Sequence, residues 1–296
     1  NNEKSSGSGP PRERAPFYTK VANADNNPDA VYAVSSEGVW RSRDFAASWS
    51  LVPISSNFHR FGSNALNVKV SHASPHVIWS GELMYDDGSY GIFVSEDSGQ
   101  TFSQTNSFIP ENGTHKKYIS GLAASYTDKN RAYVLFSVQG KAKVLKTEDL
   151  GQTWIDISGI SRGVDTGFPD VAVHSLLEMP FDKNILWAGT DIGVFETENG
   201  GKSWSLLTDF PAVAVYDMKV SNDQVVIATH GRGIWSATIS ELENFTLNKC
   251  LILPLCTIQQ KEIESMKSIV NYTVVSDNVS KVKLFIDGIE ETEIKQ

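Results

Sequence analysis

The sequence predicts an all-β fold because a polar phrase recurs at a steady spacing, alternating apolar runs surround it, and no sustained helical periodicity interrupts the pattern. The clearest copies of the phrase are SEDSGQTF at residues 95–102 and TEDLGQTW at residues 147–154. Weaker copies are SRDFAASW at residues 42–49 and TENGGKSW at residues 197–204. The copies follow one another about every 50 residues, which indicates one structural unit built several times. Their aligned third positions are Asp44, Asp97, Asp149 and Asn199.

Each octapeptide is preceded by two runs that are typical of strands. The first unit contains DAVYAV and then GVWRS, and the second contains HVIWSG and then GIFVS. Such short runs, rich in valine, isoleucine and aromatic residues and bounded by Gly, Asn, Asp or Pro, predict strands joined by hairpins. An apolar run precedes each pair, as in ISGLAAS at residues 119–125, and a short strand follows, as in WIDIS at residues 154–158. The pattern therefore predicts four strands per unit.

A fifth unit is incomplete. It contains YDMKVS, QVVIATH and GRGIWSATI, but no octapeptide follows these runs. Repeated four-stranded meanders of this length predict a β-propeller over residues 17–240, with about five blades. Two arrangements stay open: five blades that complete the propeller, or five blades that belong to a larger one.

The octapeptide is predicted to be a self-capping hairpin between the third and fourth strands of a unit. Ser95 and Asp97 can each bond nearby backbone N–H groups and so close the turn. Gly99 can adopt the positive φ that such a turn needs. Phe102, like Trp154 in the next copy, is then expected to bury its ring beneath the turn.

These octapeptides resemble the Asp-box, also called the bacterial neuraminidase repeat (BNR), whose pattern is Ser/Thr-x-Asp-x-Gly-x-Thr-Trp/Phe. The phrases GVFETENGGKSW and ATHGRGIWSA are similar to its surroundings in bacterial BNR-repeat, glycosyl hydrolase-like secreted proteins. The resemblance implies a propeller, but it implies catalysis far less, because these hairpins lie on the blade periphery in the family. Ala46 replaces the glycine of the pattern and Asn199 replaces the aspartate. Those two hairpins are expected to be less tightly capped.

Composition limits the classes of partner. The 296 residues include 26 basic and 35 acidic side chains, giving a net charge of −9, which opposes non-specific binding to nucleic acid or to an anionic membrane. No run approaches the roughly 20 apolar residues that span a bilayer, so no transmembrane segment is predicted. The histidines are scattered without metal-ligand spacing, and neither a metal nor a cofactor is expected.

Catalytic candidates are few. A sialidase would carry an arginine triad, whereas here FHRFGS offers Arg60 alone. Other glycosidases need two carboxyl groups that face each other at roughly 5–9.5 Å. The candidates are Asp165 and Asp170 in the loop GVDTGFPD, and Glu178 on the strand that follows. For Glu178 and its strand neighbour His174, the sequence favours packing or a hydrogen bond in the central channel.

Candidate binding residues fall in three loops. In THGRG, an arginine suited to anions stands beside a histidine that can carry a proton; the alternative is a tight glycine turn that links blades. In MYDDGSYG, the alternative is a solvated hairpin loop. A phenylalanine lies in the loop GVDTGFPD. The candidates are His230, Arg232, Tyr85, Asp86, Asp87 and Phe168.

The ends of the chain differ in composition from the repeats. Residues 1–16 are expected to be a flexible linker or a trimmed edge, and residues 241–296 a connector followed by part of a β-sandwich that resembles an immunoglobulin-like module. The pair Asp287–Gly288 is typical of a hairpin turn. Cys250 and Cys256 could close a disulfide loop or remain buried thiols. Sequons occur at Asn112, Asn244, Asn271 and Asn278, and they matter only in a host that glycosylates.

Two functions follow from these observations. The first is a non-catalytic propeller, secreted or at the cell surface, that binds a glycan or protein and belongs to a larger polypeptide with further domains upstream and downstream. The second is a glycoside hydrolase, similar to a sialidase or an endoglucanase, or a fragment of one. Paired carboxyl groups at the propeller axis would distinguish the second from the first.

Overall fold

A computed structural model describes residues 19–24, 27–55, 57–59, 65–111 and 113–243, and the backbone of two strands at 282–286 and 289–294. The chain divides into two units, Asn1–Val220 with Val225–Ala237, and Ser221–Gln224 with Thr238–Gln296. In the described part of the chain, no helix is long and apolar enough to cross a bilayer.

Antiparallel sheets follow one another along the first unit, and in each the strands are ordered as in the sequence. The first sheet contains β1 (Val21–Ala24), β2 (Asn27–Ser35), β3 (Gly38–Ser42) and β4 (Ser50–Pro53). The second contains β5 (Asn67–Val70), β6 (Ile78–Gly81), β8 (Phe93–Ser95) and β9 (Ser103–Gln104). The third contains β11 (Gly121–Ala124), β12 (Ala132–Leu135), β13 (Val144–Thr147) and β14 (Ile155–Asp156). The fourth contains β15 (Val173–Met179), β16 (Asp182–Thr190), β17 (Gly193–Thr197) and β18 (Ser205–Leu206).

The fifth sheet has three strands, β19 (Val215–Ser221), β20 (Gln224–Thr229) and β21 (Ile234–Thr238). A separate two-stranded sheet, called the satellite sheet below, pairs β7 (Leu83–Tyr85) with β10 (Lys116–Tyr118). A 3-10 turn spans Ile160–Arg162. Within the described residues the fifth sheet therefore has one strand fewer than the four sheets before it.

Both faces of a central sheet are buried, because a neighbouring sheet packs on each side. Alternate residues of β12 point to opposite faces. Val134 packs in a cluster with Trp79 of the second sheet, whereas Tyr133 packs in a cluster with Leu176 of the fourth sheet. The first strands also contact each other in sequence, β1 with β5, β5 with β11, and β11 with β15. Four-stranded sheets stacked face to face through their first strands are the blades of a β-propeller, which confirms the predicted fold class.

The octapeptide hairpins cap themselves as the sequence predicts. At the second copy, Ser95 Oγ donates to Asp97 Oδ1 at 2.8 Å, and the Thr101 amide donates to the same oxygen at 2.9 Å. The Gly99 amide donates to Ser95 Oγ at 2.8 Å, and Gly99 has a φ of 71°. Burial opposes ionisation of Asp97, but the hydrogen bonds from Thr101, Ser95 and Gln100 outweigh it and lower its pKa to about 2.

The two hairpins that depart from the pattern keep the same bonds. The Ala46 amide donates to Ser42 Oγ at 2.8 Å, and Ala46 adopts a positive φ of 68°. In the fourth copy, Asn199 Oδ1 accepts from Thr197 Oγ1 at 2.9 Å and from the Ser203 amide at 2.9 Å. Its Nδ2 donates to Ser203 Oγ at 2.8 Å, in place of the bond that a threonine hydroxyl donates to aspartate. The sequence predicts that these two hairpins are less tightly capped, and for their hydrogen bonds this prediction is wrong.

The tryptophan that ends an octapeptide also joins two blades. Trp154 Nε1 donates to the carbonyl of Asn106, which follows the last strand of the preceding sheet, at 3.0 Å. Trp204 Nε1 makes the equivalent bond to the carbonyl of Ile157 at 3.0 Å. Each indole thus satisfies its polar group while its ring fills the space between blades.

In the second unit, β22 (Val282–Ile286) and β23 (Ile289–Ile294) form an antiparallel hairpin. The two strands confirm the expected hairpin, while the Asp287–Gly288 turn, both cysteines and the four sequons lie outside the described residues. Residues 1–16 also lie outside them. The immunoglobulin-like module stays a prediction.

Candidate functional site

The alternation of strand direction gives every sheet two ends. The octapeptide hairpins and the first hairpin of each sheet lie at one end, which we call the cap end. The opposite end, the loop end, carries the turn between the second and third strands and the connection to the next sheet. The loop end holds the loops GVDTGFPD, MYDDGSYG and THGRG, so seven of the candidate residues lie on one side of the first unit: Asp165, Asp170, Tyr85, Asp86, Asp87, His230 and Arg232.

Three ring side chains form a row at the loop end of the fourth and fifth sheets. His174, the second residue of β15, stacks on Tyr216, the second residue of β19, with ring centroids 4.5 Å apart and an interplanar angle of 20°. The ring of His230 meets Tyr216 edge-on, with centroids 5.6 Å apart. Tyr216 is 52% exposed. We call His174, Tyr216 and His230 the ring row.

Hydrogen bonds fix both ends of the ring row. His174 Nε2 lies 2.7 Å from Asp191 Oδ1, in the turn between β16 and β17. The His230 amide donates to the carbonyl of Ala214 at 2.9 Å. The side chain of His174 and the backbone of His230 are therefore positioned before any ligand arrives, which lowers the cost of ordering them on binding.

THGRG forms the tight turn that the alternative interpretation predicts. Gly231 and Gly233 have φ values of 91° and 73°, a region that glycine reaches without strain. The carbonyl of Arg232 accepts a bond from Trp235 Nε1 at 3.0 Å, and Arg232 is exposed two residues after His230. The turn presents His230 and Arg232 to solvent, and their contact with a ligand stays a prediction.

The satellite sheet presents a second polar and aromatic surface at the loop end. The rings of Tyr85 and Tyr90 meet edge-on with centroids 5.1 Å apart. Lys116 pairs with Asp87 and lies 5.6 Å from the centroid of Tyr85. Hydrogen bonds from Lys116 and Ser89 hold the pKa of Asp87 well below its usual range.

Asp86 is turned inward, unlike Asp87. Its Oδ2 accepts the amide of His115 at 3.0 Å, and its Oδ1 is buried without a hydrogen-bond partner. The interpretation of both aspartates as one solvated loop is therefore wrong for Asp86, because its carboxylate joins the loop to the connection that follows the second sheet.

Each of the two loop-end candidate carboxylates accepts hydrogen bonds from its own neighbours. Asp170 pairs with the buried ammonium of Lys143 at 2.7 Å and accepts the amide of Gly140 at 2.8 Å. Burial opposes ionisation of Asp170, but its hydrogen bonds with Lys143 and Gly140 outweigh it and lower its pKa. Asp165 Oδ1 accepts the amide of Gly167 at 2.9 Å and so caps a turn.

Glu178 lies at the cap end of β15, although Asp165 and Asp170 lie at the loop end. The strand from Val173 to Glu178 alone spans roughly 16 Å at 3.3 Å per residue, and both aspartates precede its first residue. Glu178 is 1% exposed, accepts the hydroxyl of Tyr133 at 2.7 Å and pairs with Arg131 at 3.4 Å. Its position corrects the idea of a catalytic Glu178: the residue joins two blades, as the packing interpretation predicts.

Phe168 also belongs to the core. It is 8% exposed, and its ring packs against Phe195 and Trp204 with centroids 5.6 and 4.9 Å apart. Burial between the third and fourth sheets removes it from the surface that a ligand could contact. Among the described residues, no group of three or more His, Cys, Asp or Glu side chains could hold a metal ion.

The sequence pattern indicates a packing role for His174 and does not group it with Tyr216 and His230. An alignment of the first strands of the fourth and fifth units finds the pair, because His174 and Tyr216 both follow the valine that begins the strand. The same alignment does not identify Asp191, because this residue lies in the turn between β16 and β17 and not in a first strand.

Comparison with known proteins finds structures of similar fold but identifies no family. No protein-family model matches the chain, and no curated protein matches it. Among solved structures, the outer coat vertex of COPII on membranes gives a TM-score of 0.51 at 12% identity, covering 74% of this chain and 56% of that one. The GH74 xyloglucanase from Xanthomonas campestris gives 0.40 at 14% identity, covering 75% and 45%. YCF48 bound to D1 peptide gives 0.37 at 15% identity, covering 75% and 76%.

The chain spans less than half the length of that xyloglucanase. At such low identities similarities to solved structures concern the fold alone. They give no information on ligand or reaction.

Proposed function

We propose that this chain is an Asp-box propeller that binds a glycan or a protein at its loop end and catalyses no reaction. It acts outside the cell, secreted or at the cell surface, as one part of a larger multidomain protein. The self-capping octapeptides support the Asp-box assignment, because all four keep its hydrogen bonds. The four four-stranded sheets are four blades, and the three strands described after them belong to a fifth.

The observation that carries the binding function is the ring row. An exposed tyrosine ring offers an apolar face for a sugar ring or a peptide side chain, and the two histidines and Asp191 add polar groups around it. A few fixed polar groups around an aromatic surface are the usual composition of a ligand site. The exposed guanidinium of Arg232 extends the site toward anionic groups.

The geometry favours binding over glycoside hydrolysis. Hydrolysis needs an acid and a second carboxylate within about 10 Å of each other, whereas Glu178 and the loop-end aspartates are separated by most of a strand. A general acid also needs a raised pKa, and the pKa of Asp170 is lowered. Asp165 alone cannot supply both roles.

Binding can be tested on a printed panel of neutral and sialylated oligosaccharides, together with immobilised matrix glycoproteins. We expect the full chain to bind at least one of them, and Tyr216→Ala to weaken that binding at least tenfold, or about 1.4 kcal/mol. Phe45→Ala is the matched control, because Phe45 is 72% exposed but lies at the cap end. Equal loss in the two variants would place the ligand elsewhere.

The same panel tests catalysis. Release of reducing ends or free sialic acid by the purified chain would overturn the non-catalytic assignment if Asp165→Asn abolished it. Bound ligand recovered intact would support the binding function.

A further inference from the structure

His115 is enclosed by apolar rings immediately before the strand β10. It is 1% exposed. The ring of Phe108 lies edge-on at 5.2 Å between centroids, and the ring of Phe136 lies edge-on at 4.7 Å. Phe108 belongs to the same connection as His115, whereas Phe136 belongs to the third sheet. The imidazole therefore joins the satellite sheet to the core between the second and third blades.

Both ring nitrogens of His115 are buried without a hydrogen-bond partner. Buried polar groups are nearly always paired, so an unpaired imidazole needs an explanation. The neutral ring tolerates this cage because its body is largely apolar, whereas an imidazolium carries two donors and a charge that the cage cannot solvate.

The backbone around His115 holds the satellite sheet in place. The carbonyl of His115 accepts the amide of Asp86 at 2.7 Å, and the amide of His115 donates to Asp86 Oδ2 at 3.0 Å. At the other end of β10, the Ile119 amide donates to the carbonyl of Glu82 at 2.8 Å. Movement of the His115 ring out of its cage pulls directly on the first of these attachments.

We propose that His115 is an acid-sensitive latch: protonation of its ring drives it from between Phe108 and Phe136 and releases β10 from β7. The device is independent of the ligand proposed above. It would remodel the loop end, because β7 and β10 carry Tyr85 and Lys116.

The electrostatic environment sets the pH range. Burial is the main cause that lowers the pKa of His115, from 6.5 to about 4. Asp86 and Asp156 oppose the shift, and Lys117 and Lys141 add to it. Because the open state binds the proton more readily, the closed state is fully favoured above about pH 6.5 and loses its advantage as the pH falls toward 4. Opening should increase by up to about tenfold per pH unit in that range.

The ion pair of Lys116 with Asp87 does not titrate in this range. Hydrogen bonding lowers the pKa of Asp87 and raises that of Lys116, so the pair stays charged while His115 takes up its proton. This ion pair is therefore not the source of a response between pH 6.5 and 4.5, and His115→Phe tests whether the histidine is.

Hydrogen exchange of the full chain tests the latch. We would compare protection factors, corrected for intrinsic exchange rates, for the amides of Asp86, Lys117 and Ile119 between pH 7 and pH 4.5. Protection should fall by at least tenfold in the natural sequence. In His115→Phe, which fills the cage with an uncharged ring, protection should stay constant with pH.

His76→Gln is the matched control, because His76 is exposed at the cap end and bonds Ser98 Oγ at 2.7 Å. The amides of β10 in His76→Gln should lose protection between pH 7 and pH 4.5 as they do in the natural sequence. Constant protection in the natural sequence, or a parallel fall in His115→Phe, would overturn the proposal. If His115→Phe fails to fold, the ring resonance of His115 in the natural sequence is followed by NMR as the pH is lowered. Titration of that ring near pH 6.5 while the amides of β10 stay protected would overturn the proposal.

Discussion

The glycine of the octapeptide shows how one residue serves two physical demands. A β-carbon on Gly151 would lie 2.4 Å from Thr105 Cγ2, and one on Gly201 would lie 2.7 Å from Ile157 Cβ. Both neighbours belong to the preceding blade. Ala46 adopts the same backbone region with a φ of 68°, so the turn alone does not exclude a side chain. Close approach of the blades makes glycine necessary in the later copies.

This distinction predicts different costs for two glycine substitutions. Gly140 has a φ of 65°, and a β-carbon added there would meet nothing within 4 Å, whereas Gly151 has a φ of 80° and the Thr105 contact. Gly140→Ala should cost about 1 kcal/mol, the conformational penalty alone. Gly151→Ala should cost about 3 kcal/mol or more, because overpacking is added. Urea unfolding of both variants measures the difference, and equal costs would contradict the blade-approach explanation.

At the scale of elements, a buried charge pair joins the third and fourth blades. Glu178 is 0% exposed in its side chain and pairs with Arg131, which also contacts Glu148 Oε1 at 3.0 Å. The Glu148 side chain is 49% exposed. The two carboxylates pair with the same guanidinium but differ in exposure to solvent. Substituting each in turn therefore compares a buried ion pair with an exposed one.

Removing the buried charge should therefore cost more than removing the exposed one. Glu178→Gln should destabilise the protein by about 3 kcal/mol, because it leaves the Arg131 charge partly uncompensated in the interior. Glu148→Gln should cost less than about 1 kcal/mol, as is typical of a solvated pair. Chemical unfolding of the two variants measures both values, and a smaller cost for Glu178→Gln would show that the pair contributes little to blade packing.

The elements that the sequence predicts are those with strong local patterns. Strands β12 and β16 are apolar and bounded by turn residues, and the octapeptides contain their own capping partners. The satellite sheet lacks such a pattern. Its strands β7 and β10 have three residues each, and strands β8 and β9 of the second sheet lie between them in the sequence. The ring row likewise depends on contacts between units. Pairings that are distant in sequence leave no periodicity to detect.

At the scale of the whole molecule, packing between neighbours explains why central blades are buried on both faces and the fifth is not. All four residues of β12 are buried, whereas Ile234 and Trp235 of β21 are 76% and 42% exposed. The candidate carboxylates show the same dependence on architecture, because strand direction sends Glu178 to one end and Asp170 to the other. Carboxylate residues could be chosen from the sequence, but their separation follows from the sheet.

Stability of the whole protein should fall with acid in two steps. The first follows from His115, whose lowered pKa makes its contribution complete above about pH 6.5 and lost as the pH falls through about 4,. The second follows from the octapeptide aspartates such as Asp97, whose pKa is lowered to about 2. Their contribution is complete above the usual aspartate range and is lost as the pH falls through about 2.

Thermal unfolding followed by circular dichroism from pH 7 to pH 2 measures both steps. His115→Phe should remove the first step and keep the second, because the octapeptide hairpins are unchanged. Asp97→Asn should reduce the second step and keep the first, since the asparagine at position 199 already shows that an amide can cap this hairpin. A single transition that neither substitution alters would mean that other groups govern the acid response, and the hairpin bonds would then contribute to geometry without contributing to pH dependence.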